Sequence, residues 1–573
     1  MISIPFNYAN LQLLYTDDAI PSGADTAFHT YSVLRILDTS EPLISYTAFP
    51  TVLSGNSSSY YPSLMHLTIA SIVKLAAFDR ILTGDPVFVI EVVKSFMLAV
   101  SLAGTIGYAL FIKIILDKTV SDKVTQHLTS LNNKKYLIVF HIICLLAFSI
   151  FIYSVSLIIK TFNDGSYGQI FAMWGIFPYY LYFLINQRWI ISAILLAIIA
   201  STHNLAFIMS IFATIPYVVS LALQRTERLM INLIKSGITF AILAAPALIL
   251  FYIPVVTMVL EGNAAESTYV PWPSDMLAVQ LTPGLLYAGI IGILLALWLN
   301  MRILGWLSGW ALMYFAVFSL SSLLGERFGR EISVVFGLLV GISVAYVVFM
   351  SVLTGRQWVK QGKVQLNRLF ITSGKLVLII CILISTIVIS YSFSQHRFYA
   401  ESDPLIVKYF TNAIDESNNY FLTLVSENHP TNSTKDVKVV ALFGDNPWLK
   451  VTTYGKFEIL SVLPSDIPHL SKADKLMNDE LAQIITYPDG EITSCVLKKY
   501  GIDYVYISDM ISGRWYSPYT DEAYYEQLNQ FQSVHHSSLF DLENEFFGTN
   551  GEHLRIFSVN NDILNQACNG RYF

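Results

Sequence analysis

The chain has 573 residues, of which 54% are hydrophobic and only 13% charged, with a mean hydropathy of +0.53. Soluble domains carry roughly 25% charged residues, so this composition excludes an ordinary water-soluble protein and makes a bilayer the solvent. The formal net charge of -6 offers no basic footprint, which excludes nucleic acid as a partner.

Residues 1–85 read as a first outward loop carrying juxtamembrane helices. Within it, Ser22-Gly23 turns into Asp25, which predicts a helix start there with His29 one turn later on the same face. A carboxylate and an imidazole would then point into one cavity. The plainer alternative is that Asp25 caps the helix and His29 covers apolar surface. Asp17 and Asp18 stand close by as rival carboxylates. Tyr60-Tyr61-Pro62-Ser63-Leu64-Met65-His66 then opens an apolar run from Pro62 to Phe78. Tyrosines are ordinary at a membrane boundary, so His66 is the residue of interest on chemical grounds. The run also holds Lys74, and counting it as a span would invert every later loop; it reads as a helix lying in the outer interface.

Runs of about 20 apolar residues, enough to cross roughly 30 Å of hydrocarbon as a helix, recur through residues 86–394. They predict a transmembrane helical domain of about ten spans: Pro86 to Leu116, Tyr136 to Ile159, Gln169 to Ile185, Trp189 to Ser201, Leu205 to Leu223, Ser236 to Leu260, Leu285 to Leu299, Ile303 to Leu323, Ile332 to Leu353 and Leu376 to Ser394. Lys and Arg fix the orientation. The Asp117 to Lys135 loop holds Lys118, Lys123, Lys134 and Lys135, and the following loops on that side hold Arg188, then Arg225, Arg228 and Lys235, then Arg302. Gly355 to Lys375 is basic and has no acid. These loops are predicted to be cytoplasmic. The same alternation puts Met1 to Tyr61 outside and so predicts a further span ahead of Met1.

The outward loops carry the remaining candidates. Asp164 stands in Thr161-Phe162-Asn163-Asp164-Gly165-Ser166-Tyr167-Gly168, where an Asp-Gly turn is the plain reading. His203 and Asn204 end the Trp189 to Ser201 span. Arg327 and Arg330, in Gly325-Glu326-Arg327-Phe328-Gly329-Arg330-Glu331, are three apart and share a helix face, where guanidinium forks suit phosphate oxygens. Glu326 and Glu331 offer them local salt bridges instead. Inside the spans, Glu91 and Lys94 are the main charges, at a spacing that allows them to pair.

After Ser394 the sequence becomes polar, and residues 395–573 read as a small extracytoplasmic α/β domain. Strand-like runs are Val437 to Phe443 and Tyr500 to Ile507, and Gly444-Asp445-Asn446-Pro447 and Pro488-Asp489-Gly490 signal turns. Cys144 and Cys381 fall in apolar runs. Cys495 and Cys568 fall in the tail, and sequence leaves open whether they pair.

In order along the chain, Gly23-Ala24-Asp25-Thr26-Ala27-Phe28-His29, Tyr61-Pro62-Ser63-Leu64-Met65-His66, Asp164-Gly165-Ser166-Tyr167 and Lys498-Lys499-Tyr500-Gly501-Ile502-Asp503-Tyr504-Val505-Tyr506-Ile507 resemble the GT-C superfamily of multispan glycosyltransferases. The likeness is greatest to PTPS-related and YfhO-like membrane proteins. The resemblance implies a plasma-membrane enzyme that takes a sugar from a polyprenyl-phosphate lipid at the outer face and passes it to a glycan, glycolipid or protein acceptor. It implies Asp25 as catalytic base, Asp164 as second acid, Arg327 or Arg330 as donor-phosphate ligand, and Tyr61, His29, His66 and His203 as acceptor or supporting residues. Asp25 and Asp164 are then also the residues that would hold a divalent cation (Mg, Mn or Ca). The family pattern has Asp directly after Gly, where Ala24 intervenes here. Two other classes stay open: a non-catalytic envelope-glycan assembly protein, and a transporter or flippase of lipid-linked saccharides, whose site would lie near the bilayer midplane.

Overall fold

The computed structural model describes residues 29–30, 32–34, 36–37, 64–76, 86–129, 167–253, 256–257, 306–313, 335, 338–339, 412–428, 437–442, 449, 457–462, 472–508, 534, 536–548 and 553–568. Among these, helix predominates, with one five-stranded sheet in the tail. Four helices are long and apolar enough to cross a membrane: Phe88–Ile115, Tyr167–Ile185, Asn204–Leu223 and Leu229–Tyr252. The predicted spans Tyr136 to Ile159, Leu285 to Leu299 and Leu376 to Ser394 lie outside the described residues.

The first described long elements are α1 (Leu64–Ala76) and α2 (Pro86–Thr129). With 13 residues, α1 rises only about 20 Å, too little to cross the hydrocarbon, in line with the expectation of a non-spanning helix. It buries Met65, Ile69 and Val73 in the same core as Val89, Val93 and Met97 of α2. Helix α2 does not stop at Leu116. It runs on to Thr129, through residues predicted as loop, because loss of hydropathy ends a span without ending a helix.

Next come α3 (Tyr167–Ile185), α4 (Trp189–Ala200), α5 (Asn204–Leu223) and α6, which starts at Leu229 and continues through Tyr252. The predicted cytoplasmic Lys235 therefore lies inside α6. The turns before α4 and α6 place Gln187, Arg225 and Arg228 in left-handed backbone. With 12 residues, α4 is a short apolar helix below spanning length. Helix α6 leaves Ile231, Ile234, Ile238 and Ile242 each more than half exposed, an apolar stripe at helical spacing that suits hydrocarbon rather than water.

Helices α2 and α3 approach each other closely. A side chain at Gly104 would overlap the Trp174 carbonyl, one at Gly107 would meet Pro178 and Tyr179, and one at Gly175 would meet Val100. Small residues permit this approach of backbones in a membrane protein. Trp174 Nε1 donates to the Ser101 carbonyl at 3.1 Å, and Tyr179 Oη donates to that of Ala103 at 2.7 Å. Within α3, residues Ile170–Ile176 form a π-helix. Its i→i−5 pattern would draw a donor for the Met173 carbonyl from residue 178, and that residue is proline. Tyr108 Oη supplies the missing donor at 3.0 Å. Below this, Trp306, Trp310 and Phe177 form a buried aromatic group, with Trp306 Nε1 bonded to the Ala213 carbonyl of α5 at 2.7 Å.

The tail comprises α7 (Asn412–Asn428), β1 (Lys438–Leu442), β2 (Glu458–Val462), α8 (Lys472–Thr486), α9 (Glu491–Tyr500), β3 (Tyr504–Ser508), β4 (Phe540–Phe547), β5 (His553–Val559) and α10 (Asn561–Ala567). Sheet order is β2-β1-β3-β5-β4, with β1 parallel to β2 and β3, and β5 antiparallel to β3 and β4. The pleat sends alternate residues to opposite faces. Val440, Val505 and Phe557 meet Leu481, Val496 and Leu497 of α8 and α9. Val439, Tyr504 and Ile556 meet Phe421 and Val425 of α7 on the other face. The α/β expectation for the tail holds in this three-layer form.

One boundary differs from expectation: Tyr500 ends α9 rather than opening a strand. Gly501, at φ 64°, takes the left-handed position that closes the helix, and Ile502 N donates to the Leu497 carbonyl at 3.0 Å. Cys495 and Cys568 form a disulfide joining α9 to the residue after α10, with Cα atoms 5.0 Å apart.

Candidate functional site

Four segments far apart in sequence bring polar rings together at one end of the helical bundle. Helix α5 starts there because His203 serves as its N-cap: His203 Nδ1 accepts from Ala206 N at 3.2 Å. An accepting Nδ1 is bare, so the neutral ring carries its proton on Nε2. Leu64 N of α1 donates to the Ser201 carbonyl in the α4–α5 turn at 3.1 Å, which fixes the start of α1 against that turn. His66 follows two residues on and is buried at 3% exposure.

His29, from the N-terminal segment, is 2% exposed and meets His66 directly: its Nδ1 lies 2.7 Å from His66 Nε2. The ring centroids are 5.0 Å apart with 29° between planes, so the rings meet edge to edge through these nitrogens. On its other side His29 stacks against Tyr167, the first described residue of α3, with centroids 5.7 Å apart. Tyr167 is fully buried, and Thr30 and Gln169 are buried beside this sequence region.

Electrostatics keep the two hydrogen-bonded histidines neutral. Burial pushes His66 down to about 3. Burial, with the positive charge that His66 and then His203 would bring, holds His29 well below the ordinary imidazole range. A buried imidazolium lacks the hydration that stabilises it in water. A neutral, hydrogen-bonded histidine pair can accept a proton at one nitrogen and donate from another, which is acid–base chemistry rather than charge binding.

Of the residues predicted from sequence, the structure thus joins His29 and His66, and puts His203 within electrostatic reach of His29. Asp25, Tyr61, Asp164, Arg327 and Arg330 lie outside the described residues. Tyr167 was missed as a site residue. Its signal was its place three residues after Asp164, at the mouth of a span. Glu91 and Lys94 pair as their spacing allows, at 3.2 Å. Among the described residues, no three His, Cys, Asp or Glu side chains form a group able to hold a metal ion. No protein-family model matches the chain, and no curated protein matches it either.

Proposed function

We propose that the chain is a multispan membrane glycosyltransferase of GT-C type, which takes a sugar from a polyprenyl-phosphate donor at the outer membrane face and transfers it to a cell-surface glycan, glycolipid or protein. The observation that carries this reading is the joining of His29 and His66 in one buried pair, against Tyr167 and beside His203. These residues belong to, or adjoin, the separate motifs on which the resemblance rests.

In this reading, residues 1–85 form the first outward loop, residues 86–394 the bundle of about ten spans, and residues 395–573 an outward domain over the site. The Cys495–Cys568 disulfide supports an oxidising, extracytoplasmic location for the tail. Asp25, four residues before His29, takes the proton of the acceptor hydroxyl. The acceptor oxygen bonds to the anomeric carbon as the bond to the lipid phosphate breaks. Arg327 and Arg330 stabilise the departing phosphate, and Asp164 positions the acceptor. Asp25 and Asp164 are the residues that would hold a divalent cation, through carboxylate oxygens. The Glu91–Lys94 pair argues against a transporter, since these two charges near the start of α2 offset each other.

The test is transfer from radiolabelled polyprenyl-phosphate hexoses in membranes containing the full chain. Asp25→Asn should lower transfer by about 100-fold or more while expression and insertion stay at the wild-type level. Unchanged transfer would remove Asp25 from the role of base.

A further inference from the structure

One end of α4 leads into the turn that carries His203; the other, at Trp189, is set back from its neighbours. Ser236 Oγ of α6 donates to the Trp189 carbonyl at 2.9 Å, and Tyr252 Oη donates to that of Ala200 at 3.0 Å, so α4 and α6 run side by side. Leu229 opens α6 seven residues before Ser236, about 10 Å further along the axis. Tyr217 Oη of α5 donates to the Ile185 carbonyl at the end of α3, at 3.3 Å. Helix α5 continues six residues past Tyr217 to Leu223, about 9 Å. The α3–α4 turn at Asn186–Arg188 therefore stops about 10 Å short of the α5–α6 turn at Gln224–Arg228, and Gln187 and Arg188 are exposed there.

Cations collect around this recess. Arg188 and Lys235 stand at its floor, Arg225 and Arg228 at its rim, and all four are exposed. Glu227 is the one acid in the two turns, and among the described residues none of the four cations has a carboxylate partner. Leu223, Met230, Ile231 and Ile234, between rim and floor, are each more than half exposed, which suits hydrocarbon at that depth. Arg188 and Lys235 thus carry charge level with acyl chains, which is costly unless water or an anion meets it. The backbone adds to the positive field: the N-cap residues of α4 and α6, Arg188 and Arg228, make no side-chain cap, so both N-termini present the positive end of a helix dipole. Helical side chains lean toward the N-terminus, which tips Trp189, first in α4, toward the recess; its Nε1–H is buried and meets no acceptor among the described residues.

We propose that this recess binds the headgroup of an anionic membrane phospholipid, with Arg188 and Lys235 on the phosphodiester and Arg225 and Arg228 drawing the headgroup in from the rim. Basic pockets between membrane helices suit such headgroups, and a guanidinium fork matches two phosphate oxygens at once. The acyl chains lie along the exposed isoleucines of α4 and α6, such as Ile190 and Ile234. Charge and depth select this occupant. A soluble anion would meet the cations and leave the isoleucines without a role. A zwitterionic lipid brings its own cation, which the four basic side chains repel. An acidic peptide would carry backbone N–H and C=O groups to a depth where they lack partners. The inference rests on the membrane reading of these helices and not on the transferase reading, since the recess lies at the opposite end of α4 from the histidine pair.

Native mass spectrometry of the full chain in detergent tests this, with dioleoyl phosphatidylglycerol as the anionic probe and dioleoyl phosphatidylcholine, which has the same acyl chains, as the zwitterionic one. The wild type should bind phosphatidylglycerol at least about tenfold more tightly, a comparison that needs no variant. Arg188→Gln/Lys235→Gln should weaken phosphatidylglycerol by about 10- to 30-fold and leave phosphatidylcholine within about twofold. Arg188→Lys/Lys235→Arg keeps both charges and should stay within about threefold of the wild type. Lys498→Gln/Lys499→Gln removes the same charge from α9 in the tail and should leave lipid binding as it is. Equal binding of the two lipids by the wild type overturns the proposal, as does an equal loss in the tail variant or in the charge-keeping variant. Displacement of phosphatidylglycerol by excess inorganic phosphate would make the recess a site for a free anion, and tighter binding of a polyprenyl phosphate would give it another lipid; either result overturns the assignment to a phospholipid.

Discussion

Acidification from pH 8 to pH 5 should destabilise this protein through its buried histidines, and the size of the loss follows from His66. Its ring sits near 3 in the folded chain against about 6.5 when unfolded. The folded state therefore binds fewer protons than the unfolded state between these values. Stability is complete above about pH 6.5 and falls as pH drops toward 3. At pH 5 the unfolded ring has taken up its proton and the folded ring has not. The gap from 6.5 to 5 is about 1.5 pH units at about 1.4 kcal/mol each, or about 2 kcal/mol. His29 shifts the same way and adds to the loss. Thermal unfolding of the detergent-solubilised protein at pH 8, 6.5 and 5 checks it against His66→Gln, which cannot titrate there. The wild type should lose about 2 kcal/mol more than the variant over this range, an extra fall in Tm of about 4–8 °C for a cooperative unit of roughly 150–250 residues. Parallel curves for the two proteins would show that His66 is not a buried neutral ring.

Two substitutions test the packing. Gly104→Ala places a methyl on the Trp174 carbonyl and should cost about 1–3 kcal/mol, whereas Gly237→Ala meets nothing within 4 Å and should be neutral or stabilising by up to about 1 kcal/mol; paired melting curves in one detergent read the contrast. Cys495→Ser opens a link between residues 73 apart and should destabilise the tail by about 2–5 kcal/mol. Limited proteolysis of the full chain should then cut residues 395–573 in the variant under conditions that spare the wild type.

Hydropathy located the membrane helices well where a span is apolar from end to end. Helices α3 and α5 begin and end close to where Gln169 to Ile185 and Leu205 to Leu223 were expected. It failed where charge and helix coexist. Lys235 reads as a loop residue because it is charged, yet the backbone bonds of a helix are indifferent to a lysine pointing outward, and α6 begins before it. Within the π-helix of α3 the Met173 carbonyl is served by Tyr108, a contact between positions too distant for any local pattern to express. The same holds for the site. His29 and His66 each stood out as a polar ring in an outward segment, but their hydrogen bond spans 37 residues and is set by packing. Gly501 lies inside the expected strand-like run Tyr500 to Ile507, and its role as a helix stop moves the start of β3 to Tyr504.

The contact between α2 and α3 also orders events during synthesis. Ser101 and its partner Trp174 are 73 residues apart, and ribosomes add about 5–20 residues per second, so α2 exists for roughly 4–15 s before the segment that fills its glycine groove has been made. His29 waits longer, since Tyr167 and His203 lie further from it in sequence than Trp174 lies from Ser101. Until then His66 is the one of these three described ring partners of His29 that has been made, and the groove at Gly104 and Gly107 still awaits Trp174. Faithful assembly of the pair against Tyr167 is therefore a question of timing as well as of stability, and slowed translation between the codons for Ser101 and Trp174 would lengthen the interval in which α2 can find the wrong neighbour.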